Sequence, residues 1–298
     1  MIKTVINTNN LKEADMVIVS APYEKTASSH KGTVLGPGAV IEQLDHQIEF
    51  FDRKFKKNVN DFVKVAHEDM GNLELLTPVE NAFKIQNTCN TLIKDNKFIL
   101  LLGGEHSVSL GHFQALAKKY KPKDVTILDI DAHCDLRNND SDYNEGETSD
   151  LAHSTIMRRA SELGYNIVQV GVRTYCEEEY KYFSDKKHKV TIFEWDNLEA
   201  RLPSIKNIIK SIKTKYLYIS IDVDGFDPAH MPGTGTAVQG GLEWWYGVKL
   251  IEEAINKKEL IGADIVEVSP VTDSVLTEYG AAQLCYTIIA NKFRNKLK

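Results

Sequence analysis

Acidic and histidine side chains alternate along one short segment of the sequence in a pattern that suits metal chemistry. The segment LDIDAHCD, residues 128–135, places Asp131, His133 and Asp135 at every second position after an apolar run. Alternate residues of an extended chain project to the same side, so these three side chains are expected to face one point. Carboxylates that converge without basic partners repel one another, and proton uptake, salt bridges or a bound metal ion are the usual resolutions.

Donor groups also follow three other apolar runs. His106 comes after two glycines in LLLGGEHS, Asp222 and Asp224 alternate in SIDVDGFDP, and Glu267 follows the apolar residues of DIVEVSP. A metal ion accounts for the histidines, whereas strand-end carboxylates that only cap helices or pair with lysines leave them unexplained. Carboxylate oxygen and imidazole nitrogen without thiolate suit manganese or a similar divalent ion better than structural zinc.

Eight short apolar runs predict the elements that must position these groups. Segments with helical signals separate most of them, such as TPVE at 77–80, where Thr77 and Glu80 can form a capping box, and GAVIEQLDHQIEFF at 38–51. Alternating strands and helices predict an α/β fold of three layers, α/β/α, around an eight-stranded, mainly parallel sheet, with residues 1–298 in one domain. Ligands of such sheets bind beyond the carboxyl ends of the strands. The predicted strands are 16–21, 62–67, 97–102, 125–130, 166–172, 189–193, 216–221 and 263–268.

The composition argues against two classes of partner. The formal net charge is -6 at pH 7, and the basic residues form no block that would follow a phosphate backbone, so we expect no nucleic-acid binding. The longest apolar run, 98–102, is far too short to span a bilayer, so we expect no membrane association. The 4 cysteines lie far apart without a C-x-x-C pair, which favours a reducing environment and predicts a cytoplasmic protein.

Five motifs, GGEHS, DAHCD, SIDVDGFDP, PGTGT and EVSP, resemble in their order and separation those of the ureohydrolase family of arginases and agmatinases. The resemblance is specific because six ligand positions match on three separate segments. It implies a single ureohydrolase-like catalytic domain of arginase-like fold with two Mn²⁺ ions per chain, bridged by Asp131 and Asp222. By this resemblance one ion is bound by His106, Asp131, Asp135 and Asp222, and the other by Asp131, His133, Asp222 and Asp224.

The same resemblance implies roles for further residues. A hydroxide that bridges the two ions would attack the carbon of a guanidinium group, which Glu267 would bind and orient. His153 in LAHST would shuttle protons, Asp135 would pass a proton to the leaving amine, and Thr236 in PGTGT would place a hydroxyl near the guanidinium. Two simpler alternatives stay open: His153 could be an ordinary histidine at a helix start, and Glu267 could be a salt-bridge partner.

Among guanidino compounds, the resemblance favours agmatine, hydrolysed to putrescine and urea in polyamine and putrescine biosynthesis. Three residues after Arg173, where arginases carry an aspartate for the substrate amine, this chain has Cys176. The loop from Asp140 to Asp150 is acidic, and it should attract a dication and repel a substrate carboxylate. Arginase, guanidinobutyrase and formiminoglutamase activities stay open as alternatives, as does a metal-binding relative without catalysis. The resemblance also implies a homotrimer or homohexamer.

Two other classes of metal enzyme fit the sequence less well. A metallophosphoesterase also uses an Asp-x-His motif, but the downstream Asn-His and His-x-His ligands of that class are absent from the sequence. A zinc deacetylase of related fold would keep one metal site and lack the paired carboxylates at 222–224. The pattern therefore favours a two-metal guanidino-hydrolase.

Overall fold

The apolar runs of the sequence pair into one large parallel sheet. The computed structural model describes residues 4–144, 146, 148–195 and 202–298. In this part of the chain the strands are β1 (Met16–Ala21), β2 (Phe51–Asp52), β3 (Lys57–Asn58), β4 (Val65–Asp69), β5 (Phe98–Gly103), β6 (Val125–Ile130), β7 (Asn166–Val170), β8 (Val190–Phe193), β9 (Tyr216–Asp222) and β10 (Glu259–Val266). Eight of these strands form the sheet in the order β4-β1-β5-β10-β9-β6-β7-β8, and neighbouring strands run parallel.

All eight predicted strands form, which confirms the predicted α/β sheet. Two strands, β1 and β6, keep the predicted bounds, and the boundaries of the other six move: the run predicted at 62–67, for example, forms β4 at Val65–Asp69, and β10 ends at Val266. Glu267 therefore lies directly after its strand. The sequence did not predict the short antiparallel pair of β2 and β3. The helix predicted for 38–51 stops at residue 46, and residue 51 belongs to β2 instead.

Helices cover both faces of the sheet. The predicted capping box forms at the start of the second helix, where the Thr77 hydroxyl accepts a bond from the Glu80 N–H and the Glu80 carboxylate accepts one from the Thr77 N–H. Within the described ranges, no helix combines the length and the apolar character that crossing a bilayer requires. The helices are α1 (Gly36–His46), α2 (Pro78–Lys94), α3 (Ser109–Ala117), α4 (Ile156–Glu162), α5 (Glu177–Ser184), α6 (Ile205–Ser211), α7 (Trp244–Lys257), α8 (Leu276–Lys292) and α9 (Arg294–Leu297).

Two apolar cores separate the helices from the sheet and define three layers. Met16 and Ile18 of β1 point into the core that contains residues of α1, α6, α7 and α8. Val17 and Val19 of the same strand point into the opposite core, with residues of α2, α3 and α4. Successive side chains of a strand alternate between faces, so a strand buried on both sides reads as a continuous apolar run.

The four strands whose ends carry the charged motifs lie side by side in the centre of the sheet. They are β5, β10, β9 and β6, in that spatial order. Because they run parallel, their carboxyl ends meet at one edge, where His106, Asp131, Asp222 and Glu267 follow. The sheet therefore assembles at one place four segments that are up to about 160 residues apart in sequence.

Gly104 lets the segment before His106 pass close to the backbone of a neighbouring loop. A Cβ at this position would lie 2.1 Å from the carbonyl oxygen of Tyr23 and 2.8 Å from its backbone nitrogen. The Gly104 N–H donates to the carbonyl of Ala21 at 3.1 Å, and its own carbonyl accepts from the N–H of Glu267 at 2.8 Å. A side chain at this position would separate elements that position two of the candidate site residues.

We expect Gly104→Ala to destabilise the protein by about 1–3 kcal/mol or more, because backbone atoms cannot move aside as a flexible side chain can. Gly38→Ala is the matched control: it lies in α1, and no atom lies within 4 Å of the added Cβ. The control should be neutral or stabilising by about 0.5–1 kcal/mol, since alanine favours a helix. Urea unfolding measures both changes, and equal stability of the two variants would contradict this account.

Candidate metal centre and active site

A cavity of about 210 Å³ opens at the carboxyl edge of the central strands. Its inner wall carries predicted site residues, and its outer wall comes from loops after β6 and β7. The side chains that line it are Ser28, His133, Asp135, Arg137, Tyr143, His153, Ser154, Thr174, Tyr175, Cys176, Glu179, Asp222 and Thr236.

The first predicted cation site is formed by a histidine from the end of β5 and two aspartates from the end of β6. Nδ1 of His106 lies 3.0 Å from Oδ2 of Asp135 and 3.4 Å from Oδ2 of Asp131. One donor atom from each residue lies within 4.8 Å of the other two, as a shared ion requires. Oδ2 of Asp222, the fourth predicted ligand, lies 3.7 Å from the same His106 nitrogen.

The second predicted cation site shares Asp131 with the first. Nδ1 of His133 lies 3.1 Å from Oδ2 of Asp224 and 3.5 Å from Oδ1 of Asp131. These three residues again offer donor atoms within 4.8 Å of one another. Asp222 stands beside this group, and its Oδ1 accepts a bond from the Asp224 N–H at 2.9 Å. The structure therefore brings all six predicted ligands together, with Asp131 common to both groups.

The titratable groups of this cluster shift one another's pKa values. Burial raises the pKa of Asp135 to about 7, and the charge of Asp131 adds to the rise. Burial also raises the pKa of Asp222 well above its usual range, together with the charges of Asp224 and Asp131. For His106, burial lowers the pKa, but Asp131 and Asp135 outweigh it and raise the pKa well above its usual range. The cluster therefore holds protons unless a cation supplies the positive charge.

Two buried atoms in the cluster fit a cation better than they fit a hydrogen-bond network. Nδ1 of His106 and Oδ2 of Asp131 have no hydrogen-bond partner, although both are buried and face each other. Unpaired buried polar atoms are costly in a folded protein. A divalent ion would satisfy both atoms, and a donor set of oxygen and imidazole nitrogen suits Mn²⁺. The residues present therefore fit the metal that the sequence predicts.

Two site residues adopt a left-handed backbone conformation that side chains rarely take. The φ angles are 51° at Asp135 and 63° at Glu267. At Asp135 the turn lets the carbonyl accept from the N–H groups of Met157 and Arg158 at 3.0 and 3.1 Å, at the start of α4. At Glu267 the N–H donates to the carbonyl of Gly104. Such strain persists only where surrounding structure imposes it, and it is common at functional sites.

His153 and Glu267 form a buried pair beside the cation sites. Nδ1 of His153 lies 3.4 Å from Oε1 of Glu267, and Nε2 accepts a bond from the N–H of Ser28 at 3.2 Å. Burial lowers the pKa of His153, but Glu267, Asp135 and Glu105 raise it by more, so the net pKa is raised. The bond from Ser28 needs a free lone pair on Nε2 and so favours the neutral ring. His153 is therefore placed to exchange a proton with a group in the cavity.

Glu267 and Thr236 are both held by contacts to the cation sites. Glu267 is 2% exposed and accepts a bond from the N–H of His106 at 3.0 Å, so its carboxylate is aligned with the first site. Thr236 donates from its hydroxyl to Oδ2 of Asp224 at 3.0 Å and lines the cavity. The predicted substrate-binding residues thus contact different residues of the same cluster, Glu267 at His106 and Thr236 at Asp224.

Several residues that support the site were not predicted from the sequence. Tyr143 donates to or accepts from the Ser154 hydroxyl and packs its ring edge against His153, with ring centroids 5.8 Å apart. No sequence signal distinguishes it within its polar loop. Asp264 and Ser220 lie buried behind His106. The position of Asp264 inside the apolar run ADIV was a signal, because a buried carboxylate is costly unless hydrogen bonds compensate it.

Some carboxylates of the acidic loop at the cavity mouth are engaged by neighbouring groups of the protein. Asp140 is buried at 2% exposure and accepts a bond from the N–H of Ser149 at 2.6 Å. Asp142 forms an ion pair with Arg137, which itself lines the cavity. These two carboxylates therefore stabilise the loop, and their contacts with the protein compete with contacts to a ligand.

The rest of the loop is described only in part. Asp150 lies 3.7 Å from the guanidinium of Arg159, so it also has a basic neighbour. Glu145 and Glu147, the two glutamates of this loop, lie outside the described residues. The prediction that this loop attracts a substrate cation stays a prediction, and it depends most on those two glutamates.

Comparison with known proteins agrees with the geometry of this site. The sequence model of the Arginase family matches residues 14–290. The chain is 32% identical over 290 residues to N(1)-aminopropylagmatine ureohydrolase of Synechocystis, covering 93% of this chain and 89% of that protein. It is 32% identical over 270 residues to agmatinase of Bacillus subtilis, covering 88% of this chain and 86% of that protein. The crystal structure of agmatine ureohydrolase of Thermoplasma volcanium matches with a TM-score of 0.84 at 28% identity, covering 99% of this chain and 95% of that chain.

We expect Mn²⁺ to raise the melting temperature of metal-stripped protein, because a cation relieves the repulsion among buried carboxylates only in the folded state. At a free concentration of about 100 times the dissociation constant, the stabilisation should be about 2.7 kcal/mol for one site. Asp131→Asn should remove most of this shift, since Asp131 belongs to both groups. Thermal unfolding with Mn²⁺ and with a chelator measures the effect, and an undiminished shift in Asp131→Asn would mean that the ion binds elsewhere.

Proposed function

The chain belongs to the arginase family, and from that membership we propose that it is an agmatinase, which hydrolyses agmatine to putrescine and urea at a centre of two Mn²⁺ ions. Like its relatives, it is a hydrolase that acts on guanidino compounds. The observation that carries the proposal is the pair of three-residue groups that share Asp131 and lie next to Glu267 and His153.

The two ions would be held by residues that the fold already brings together. His106, Asp131, Asp135 and Asp222 would bind one ion, and Asp131, His133, Asp222 and Asp224 the other. Asp131 supports the bridging role best, because its Oδ2 faces His106 and its Oδ1 faces His133. Asp222 would complete both sets from the end of β9.

The chemistry divides between the ions and the side chains of this chain. When bound, two divalent ions would lower the pKa of water and so supply a nucleophile near neutral pH. Glu267 would pair with the guanidinium through a charge-assisted contact and orient its carbon. Thr236 would offer its hydroxyl to the same group.

Hydrolysis adds one water to the guanidinium and cleaves one carbon–nitrogen bond, which releases urea and an alkylammonium ion. The leaving nitrogen must gain protons as that bond breaks. Asp135 lies on the cavity wall and would pass a proton to it. His153, which also lines the cavity, would exchange protons between the site and solvent.

The wall of the cavity supports a cationic substrate more than one with a carboxylate. Glu179 is buried at 4% exposure and lines the cavity beyond the cation sites, and Cys176 stands where arginases carry the aspartate for an amine. Arg137 is the one arginine on this wall among the described residues, no described lysine lines it, and Asp142 offsets the charge of Arg137. An alkylguanidine with a distal amine is therefore favoured over an amino acid.

A longer substrate of the same class is the second candidate. N(1)-aminopropylagmatine carries the same guanidinium and extends the chain with a further amine, and a relative named for it matches 93% of this chain. The reacting end of the cavity would treat both compounds alike. The choice between them would depend on the outer wall, which includes Tyr175 and Glu179.

Three further assignments belong to the proposal. A single catalytic domain over residues 1–298 is supported by the continuous eight-stranded sheet. A cytoplasmic location and a homotrimer or homohexamer remain predictions from the sequence, as does a role in polyamine biosynthesis.

We expect purified protein loaded with manganese to contain two ions per chain. Asp131→Asn should lower the content at both sites, because Asp131 contacts both histidines, whereas Asp224→Asn should weaken only the site at His133. Elemental analysis after removal of free metal measures the stoichiometry. Full activity with one ion per chain would contradict the two-metal centre, and equal losses in the two variants would contradict the assignment of ligands.

We expect agmatine to give the highest kcat/KM in a urea-release assay that also includes N(1)-aminopropylagmatine, arginine and guanidinobutyrate, with formiminoglutamate scored by release of formamide. Arginine should be at least about tenfold poorer, since an uncompensated carboxylate costs about 1.4 kcal/mol or more. Glu267→Gln is the control: it should lose turnover of every compound while it keeps its metal.

Each outcome of the panel assigns the substrate differently. Faster turnover of N(1)-aminopropylagmatine would transfer the assignment to the longer amine without changing the mechanism. Faster turnover of arginine would overturn the argument from charge. Retained turnover in Glu267→Gln would overturn the role of Glu267.

A further inference from the structure

A chain of hydrogen bonds leads from the first cation site into the interior of the sheet. Nε2 of His106 lies 3.0 Å from the hydroxyl of Ser220, and that hydroxyl donates to Oδ1 of Asp264 at 2.6 Å. Oδ2 of Asp264 accepts from the hydroxyl of Tyr218 at 2.7 Å. All four residues are fully buried. The reaction proposed above uses His106 but none of the other three.

The neighbours of Asp264 determine the direction of these bonds. The N–H of Ile221 can only donate, and it points at Oδ1 of Asp264 at 3.3 Å. Oδ1 is therefore an acceptor, and the Ser220 hydroxyl must donate its single hydrogen to it. Ser220 then offers only lone pairs to His106, so Nε2 of His106 must carry a hydrogen.

This direction decides which atom of His106 faces the site. A histidine that donates from Nε2 keeps a lone pair on Nδ1 when the ring is neutral. Nδ1 is the atom that lies close to Asp131 and Asp135 and has no hydrogen-bond partner. The series of hydrogen bonds thus leaves on Nδ1 of His106 the lone pair that a cation needs.

The series of hydrogen bonds ends at His112, in the protein interior. Tyr218 spends its hydrogen on Asp264, so its oxygen accepts from Nδ1 of His112, 2.9 Å away. Burial lowers the pKa of His112 to about 3, so its ring is neutral. His112 is fully buried in α3, with its ring edge against Tyr218. This arrangement stabilises the tyrosine as a donor to Asp264.

We propose that Asp264 is a positioning residue that holds His106 in the metal-binding tautomer, acting through Ser220. Without an acceptor at position 264, the Ser220 hydroxyl would be free to donate to His106, and the ring could then carry its hydrogen on Nδ1, where it would oppose a cation. Partners behind a metal ligand fix the ring tautomer in this way at other metal sites.

The inference rests on the metal centre of the proposed function and is independent of the substrate. Its test is therefore metal binding rather than turnover. If the unmodified protein bound no manganese, the metal centre itself would fail. If the unmodified protein bound manganese and the variants below did so equally well, only this inference would fail.

The experiment titrates metal-free protein with Mn²⁺ by calorimetry, in a background of Asp224→Asn so that the site at His106 is the tighter one. Asp264→Leu removes both acceptor oxygens at similar shape and should weaken binding at this site about 10–100-fold, the effect of losing a partner behind a ligand. Ser220→Ala should weaken it similarly, because the His106 N–H then has no acceptor.

Two controls separate the role of an acceptor from the role of charge and from folding. Asp264→Asn can still accept from Ser220 and Ile221 through its amide oxygen, so its affinity should stay within about threefold of the unmodified value, as should that of Tyr218→Phe, which leaves Oδ1 untouched. Circular dichroism and thermal unfolding report whether each variant folds.

Specific outcomes would overturn the proposal. Unchanged affinity in folded Asp264→Leu would do so, and so would equal losses in Asp264→Leu and Asp264→Asn, because the negative charge rather than the acceptor would then be responsible. If Asp264→Leu does not fold, Ser220→Ala decides alone, and unchanged affinity in that variant would count against the proposal.

Discussion

Mutual repulsion among buried carboxylates is the constraint on which the rest of this structure depends. Asp131, Asp135, Asp222 and Asp224 are each at most 6% exposed, and all lie at one edge of the sheet. Charges of one sign at such separations cannot all be ionised in a protein interior unless positive charge lies among them. Burial, together with the charges of neighbouring carboxylates, raises the pKa values of Asp135 and Asp222. A pair of divalent ions would offset this repulsion. The same positive charges would also support the proposed hydrolysis.

The sheet holds these groups in place by making their backbone rigid. The ligands follow the central strands β5, β9 and β6, so their positions are set by parallel hydrogen-bonded ladders. Carboxylates that face the site also accept backbone N–H groups: Asp131 accepts from His133 at 2.6 Å, and Asp224 from Ala132 at 3.1 Å. These contacts hold Asp131 and Asp224 in place, which reduces the cost of ordering the site.

The reacting end and the outer end of the cavity are built differently. Strand ends supply the residues around the proposed ions, whereas loops supply Arg137, Tyr143 and Tyr175 at the outer end, and the first turn of α5 supplies Glu179. Loops tolerate change better than strands do, and they carry specificity on a fixed scaffold. Relatives that match most of this chain carry the names of two different substrates.

The sequence by itself determined which side chains could act together within one strand end, because alternation along an extended chain is a local property. The grouping of Asp131, His133 and Asp135 could be predicted for that reason. The eight strands could be predicted because strands buried on both faces are continuously apolar. Only the tertiary structure decided that β10 inserts between β5 and β9 and so brings Glu267 to His106. The packing of distant strands depends on all of their faces at once, and no single segment encodes it. For the same reason the acceptor behind His106 became visible only when the strands were paired.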